Sequence, residues 1–410
     1  MLADPSTYTT GVPHEEFARR RREAPVAWVE EPTLTYRGPS GDPQSRRGTG
    51  FWAVTRHADV VATSRAPAVF SSAAKGAFLP DPRTPEDLAR ARQLLVNMDA
   101  PEHARVRRYV TEAFTSKAMQ ALTVSIQRHA AAVVGRVRSA GAFDAVADVA
   151  AELPLLVLAD LLGVPRADRG LLLQWSNNLV GFDDPAYGGG DVTVYRATFR
   201  EAFAYARDLA ERRRHDPGDD LVSRLVTTTV DGHYLADAEF CQLWLLLVIA
   251  GNETTRHLIS GGLLALAQWP DQLAALAANP ALTPAAVEEL LRWVTPIMQF
   301  RRTAVVDADL AGQPICAGDK VVLYYISANR DESAFDGPSR LRLDRRPNPH
   351  LAFGAGPHFC LGWQLAHAEA RSLLDALRPC LPSLRVAGPA VRLESNFMNG
   401  LRSLPMTVDG

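Results

Sequence analysis

The 410-residue chain has few features that would identify it at a glance. It carries four cysteines, Cys241, Cys316, Cys360 and Cys380. None stands at CxxC spacing, so neither a disulfide framework nor a cysteine zinc site is expected. Neither sign of charge is in excess. Forty-four Lys and Arg stand against 46 Asp and Glu, which gives no electrostatic reason to expect nucleic acid or an anionic membrane as a partner. The longest apolar run, Leu243 to Ala250, is far too short to span a bilayer, and Met1 to Pro13 has no basic stretch leading into an apolar core. A cytoplasmic protein without a membrane anchor is therefore expected. No linker rich in Gly, Ser or Pro and no internal repeat interrupts the chain, so residues 1–410 are taken as one domain although the length allows two or three. The stretches Gly38–Gly50 and Gly181–Asp191 are expected to be loops. A glycine-rich dinucleotide motif is also missing.

What is present centres on Phe353 to Gly362 (FGAGPHFCLG). Glycines at 354, 356 and 362 allow a tight turn and a close approach to something flat. Cys360 opens onto a helical pattern from about Leu361 to Leu377. A cysteine at a helix start meets free N–H groups that favour the thiolate, a metal ligand. The plainer alternative is a buried cysteine acting as a small hydrophobe.

Upstream, the pattern predicts one long helix from about Ala236 to Trp269, too apolar on every side to lie on the surface. Burying Glu253, Thr254, Thr255 and Arg256 in its middle is costly unless each finds a partner. Ala250 and Gly251 leave room for a ligand, and Thr254 is placed to hydrogen-bond a backbone carbonyl and widen the helix. An acid beside an alcohol on such a groove is a proton-delivery pair. Asp99 is a candidate N-cap with Pro101 in the first turn, and His103 and Arg107 share a face of the helix that follows. Thr283 is placed to cap a helix carrying Glu289 and Arg292 three apart. Helices are further expected at His14–Arg22, His57–Ser64, Pro85–Leu94, Ser116–Arg138, Val149–Leu162, Ala167–Val180, Tyr195–Arg214 and Asp219–Val230. Strands are expected at Pro25–Glu30 and Phe51–Thr55, with a strand-like run at Val294–Phe300.

Phe353-x-x-Gly356-x-His358-x-Cys360-x-Gly362 resembles the haem-binding loop of the cytochrome P-450 monooxygenases. Ala250-Gly251-Asn252-Glu253-Thr254-Thr255 and Glu289-Leu290-Leu291-Arg292 resemble two further signatures of that family, in the right order. The resemblance covers essentially the whole chain. It implies a mainly α fold with a small β-rich subdomain, and haem b (iron protoporphyrin IX) held through Cys360. It further implies haem propionates bound by His103, Arg107, His358 and Arg302, with Arg301 an adjacent alternative. Phe353 is expected near the sulfur, Gly356 and Gly362 to shape the loop, and N–H groups near Gly362 to tune the donor. Glu253 and Thr254 take the proton relay. Glu289 and Arg292, joined by Arg345 or its neighbour Arg346, take a structural role.

The implied reaction inserts one oxygen atom from dioxygen into an unactivated C–H bond of an apolar small molecule. Ferredoxin and ferredoxin reductase are the expected electron donors, and the protein is expected to be a monomer. Arg105, Arg108, His367 and Arg371 are candidates for a positive docking patch. The motifs look most like the actinobacterial branch that oxidises sterol, terpenoid and lipid side chains. A secondary-metabolite tailoring oxidase, as in antibiotic biosynthesis, is the alternative within the fold, and a haem sensor without turnover the alternative outside it. The segments flanking Gly188-Gly-Gly resemble a lid whose glycines act as a hinge. Residues 70–95 and the turn Asn396–Leu401 are expected to shape the substrate pocket.

Overall fold

A computed structural model describes residues 2–38, 40–111 and 116–409, and it is mainly helical with small β sheets. The central helix runs from Asp237 to Gln268, within a residue of the expected bounds. Glu239 reaches back to the Ala236 N–H and fixes its start. Leu258, Leu263 and Leu266 lie in one apolar core with Val287, Leu290 and Leu291 of the helix Thr283–Val294 and Leu373 and Leu374 of the helix Trp363–Leu377. Fully burying a side chain of this kind contributes ~1.5–3 kcal/mol, so this core holds the three helices that carry the motifs.

The helices Arg169–Val180 and Val192–His215 cross the central helix on another side, joined by residues 181–191. That segment, a loop as expected, is closed by its own backbone hydrogen bonds. The Gly190 and Gly188 N–H groups bond Phe182 O and Gly181 O, and a Cβ on Gly188 would meet the Phe182 backbone at 2.6 Å.

A five-stranded sheet forms the β-rich part, in the order Val26–Val29, Phe51–Val54, Lys320–Tyr324, Gln299–Ala304, Phe70–Ser71. All pairs are antiparallel except Lys320–Tyr324 with Phe51–Val54. Residues 38–50, expected as a loop, instead contribute strand Pro43–Arg47, paired with Thr33–Arg37; residue 39 lies outside the described residues. Val294–Phe300 is not a strand at its start, since Thr295 ends the preceding helix in the left-handed region (φ 46°). The expected helix at 149–162 begins earlier as a π turn, Ala145–Ala150, and the one at 219–230 stops at Thr227.

Candidate active site

The loop before the helix Trp363–Leu377 is built on its own backbone. The Cys360 N–H donates to Phe353 O at 2.9 Å, and a single 3-10 turn, Gly356–His358, lies between. Gly356 sits at φ +70°, and a Cβ there would lie 2.4 Å from Ser64 O at the end of the helix His57–Ser64. No other residue fits. The helix starts at Trp363, so Cys360 lies outside its first turn. The expected preference for thiolate is not met by the protein alone: burial pushes the Cys360 thiol up to about 11, although a hydrogen bond from the Gly362 N–H and the charge of Arg107 pull it down. Only a cation at the sulfur would reverse this.

Four basic side chains gather around this loop. His103 is buried and its ring lies 4.3 Å from that of His358. His358 is within 3.2 Å of the Ser72 hydroxyl. Burial, reinforced by Arg302, His103 and Arg107, lowers its pKa to about 3. Among the described residues Arg107 donates only to Phe359 O (2.8 Å) and Arg302 only to Arg301 O (2.7 Å). None of the four meets a carboxylate among the described residues. Arg301, the adjacent alternative, is committed elsewhere, to Asp81 at 2.8 Å. Asp99 is not the side-chain cap expected for the helix Glu102–Thr111. Its carboxylate accepts from the Ser71 hydroxyl and the Ser72 N–H (2.9 Å). The two histidines are held neutral by burial, so the charge of the cluster lies on Arg302, which is buried, and Arg107, which is half-buried. Enclosing cations without anions is costly, so the cluster fits a ligand that brings carboxylates of its own.

On the central helix, Ala250 is exposed and Leu246, Leu247, Gly251 and Thr254 are half-buried, on a helix otherwise largely enclosed. These positions share one face, so the helix opens onto a space there. The Thr254 hydroxyl donates to Ala250 O at 2.7 Å, as expected. Gly251 serves packing as well: a Cβ there would meet Leu158 at 2.9 Å. Glu253 is 3% exposed and accepts from Asn252 Nδ2 at 3.2 Å and Arg256 at 3.3 Å. Burial pushes its carboxyl up, partly offset by Arg256.

Glu289 and Arg292 are fully buried, joined at 2.7 and 2.8 Å, and Arg345 adds contacts at 3.0 and 3.1 Å, while Arg346 is exposed. Arg292 also donates to Asn329 O and Pro338 O, so this network ties a helix to the segment before the cysteine loop. The expected positive patch is mostly neutralised. Arg105 pairs with Glu239, Arg108 with Asp231 (3.1 Å) and His367 with Glu288 (3.0 Å), which leaves Arg371 exposed. Two groups were not foreseen from sequence. Phe359 and Trp363 are exposed on either side of Cys360, and Phe78, Phe300 and Phe397, from three distant segments, meet edge to face at 5.4–5.9 Å. Nothing in the linear order links those three rings, although their segments had been expected at the pocket.

A half-buried cysteine in a glycine turn, cations awaiting carboxylates and an acid–alcohol pair on an open helix face together define a haem-thiolate oxygenase. Residues 194–377 match the family described as Cytochrome P450. The chain is 39% identical over 397 residues to a steroid C26-monooxygenase of Mycolicibacterium smegmatis, covering 95% of this chain and 89% of that protein. It is 40% identical over 399 residues to a methyl-branched lipid omega-hydroxylase of Mycobacterium tuberculosis, covering 95% and 90%. A solved cytochrome P450 of Mycobacterium marinum in complex with pseudoionone superposes with a TM-score of 0.88 at 41% identity, covering 98% of this chain and 96% of that one. The chain belongs to the cytochrome P450 family. It is a haem-binding monooxygenase that draws electrons from a separate partner. Among the described residues no helix is long and apolar enough to cross a membrane.

Proposed function

We propose that the chain works as one domain that hydroxylates a steroid or a methyl-branched lipid, with Cys360 as the iron ligand. The observation that carries the site assignment is the cluster His103, Arg107, Arg302 and His358, buried or half-buried beside Cys360 and meeting no carboxylate among the described residues. Two propionates supply the missing charges through strong charge-assisted bonds. The Gly362 N–H moderates the sulfur's donor strength, and Phe353 packs in the loop beneath it. When bound, the haem supplies an iron whose thiolate ligand favours O–O cleavage.

The protein's own residues do the rest. Thr254 presents its hydroxyl on the open face of the central helix, and Glu253 behind it supplies protons toward that hydroxyl. The face of Leu247 and Ala250 and the ring cluster of Phe78, Phe300 and Phe397 exclude water and hold an apolar substrate. The names of the two curated relatives favour a steroid or branched-lipid chain over the tailoring alternative, and the intact Glu253–Thr254 pair favours turnover over sensing. A ferredoxin docking over Phe359 and Trp363 as the electron donor, a monomeric state and a cytoplasmic location complete the reading.

The test is the carbon monoxide difference spectrum of the reduced protein, followed by spin-state titration with testosterone, a methyl-branched fatty acid and pseudoionone. A strongly red-shifted band that disappears in Cys360→Ala, together with a spin shift from a steroid or branched lipid, is expected. Pigment unchanged in Cys360→Ala overturns the ligand assignment, and no spin shift from any of the three overturns the substrate class.

A further inference from the structure

Among the described residues two buried Glu–Arg pairs stand at i,i+3 spacing, and they behave differently. Arg292 holds Glu289 at 2.7 and 2.8 Å, the range of charge-assisted bonds. Arg256 stands 3.3 and 3.5 Å from Glu253. Its short bonds go to neutral acceptors instead: Asn177 Oδ1 at 2.7 Å and the Tyr187 hydroxyl at 2.9 Å. Asn177 belongs to the helix Arg169–Val180 and Tyr187 to the segment that follows it, the region flanking Gly188-Gly-Gly. A guanidinium in a dry interior should favour the carboxylate. Here the docked segment draws it away.

That segment is held as a unit. Asp184 pairs with Arg402 at 3.0 Å and accepts from the Glu394 N–H at 2.9 Å, and the Arg37 N–H donates to Gly190 O at 2.8 Å. Tyr187 is carried on it.

We infer that Arg256 is a positioning residue that couples lid closure to proton supply. With Asn177 and Tyr187 docked, Arg256 is turned toward the lid, and Glu253 is left underpaired and ready to carry a proton. When the lid withdraws, Arg256 closes on Glu253 and holds it as an inert carboxylate, as Arg292 holds Glu289. The remaining groups around Glu253 do not replace the arginine. Asn252 donates at 3.2 Å, and His257 lies 3.5 Å away without a hydrogen bond. Burial, with Arg256 and Arg392 nearby, keeps His257 neutral. Protons then reach the site only when the substrate is enclosed, which limits wasted reduction of dioxygen. This rests on Glu253 as the proton source.

The test uses the holoenzyme. The infrared band of the protonated Glu253 carboxyl, assigned by its loss in Glu253→Gln, is titrated in wild type, Tyr187→Phe and Tyr187→Phe/Asn177→Leu. The lid variants should bind the proton at least tenfold more weakly. The same lid changes made on an Arg256→Gln background should have no effect, because the coupling passes through that side chain. In parallel, peroxide released per electron pair is measured with pseudoionone as the probe and should rise at least threefold in the lid variants. An unchanged Glu253 midpoint in the lid variants, or an equal shift on the Arg256→Gln background, overturns the coupling. If Glu253→Gln leaves peroxide release at the wild-type level, the relay assignment fails instead, whatever the midpoints do.

Discussion

Cys360 carries a thiol that the protein alone does not ionise. Its pKa of about 11 lies well above neutrality, so the iron ligation proposed for it would release a proton. Haem loading should therefore weaken as pH falls, and calorimetry in buffers of different ionisation enthalpy should detect about one proton released per haem. Arg302 and Arg301 give opposed expectations. Arg302 has no carboxylate, so Arg302→Leu should leave the haem-free protein as stable or slightly more so while lowering haem retention. Arg301→Leu removes one of the two cations that hold Asp81, the other being Lys320 at 2.9 Å, and should cost about 1.5–3 kcal/mol with or without haem. Thermal unfolding of both forms separates the two. The sequence could not choose between these neighbours because adjacent residues of a strand face opposite ways. The Glu289–Arg292–Arg345 triad was legible as a triad, since the motif spacing names two members. The choice of Arg345 over Arg346 needed a backbone, and so did the discovery that Asp99 turns to Ser71 and Ser72 rather than capping its helix.

Among the elements, the central helix was the most legible, because a 32-residue apolar pattern with a polar break in its middle fits little except a buried helix. The pairing of Thr33–Arg37 with Pro43–Arg47 was the least, since both strands are largely exposed and carry no alternation of apolar residues. The helix Thr283–Val294 is tied twice to the segments that flank the cysteine loop. Glu289 does so through Arg345, and its helix neighbour Arg292 through Asn329 O and Pro338 O; Arg292→Leu should abolish haem incorporation by leaving that carboxylate buried without its main partner, a loss of ~3–5 kcal/mol. Glu288 does so more gently, accepting from His350 at 2.9 Å and lying 3.0 Å from His367. Burial alone would raise its pKa, but the two histidines outweigh it and hold the carboxyl well below the 4.5 of a free glutamate. A depressed folded pKa means that this contribution is present above about pH 4.5 and fades as pH falls below it. The stability gap between wild type and Glu288→Gln should therefore narrow on acidification, as read from denaturant midpoints across that range.

For the whole molecule, the surface proposed to meet the electron donor differs from the one that counting basic residues suggests. Arg105 and Arg108 are spent on Glu239 and Asp231, so alanine at either should change the rate of electron transfer from a ferredoxin less than about twofold. Arg371→Glu should slow it and flatten its salt dependence, as stopped-flow reduction would report. The meeting of Phe78, Phe300 and Phe397 was equally hidden, because only the folded chain brings three such segments within 6 Å.

The approach of Gly356 to Ser64 O makes the cysteine turn a guest of a helix almost three hundred residues earlier in the chain. The position of the cysteine turn is thus set by a segment near the opposite end of the polypeptide. A chimera with a mycobacterial relative should keep its pigment only if both segments come from one parent.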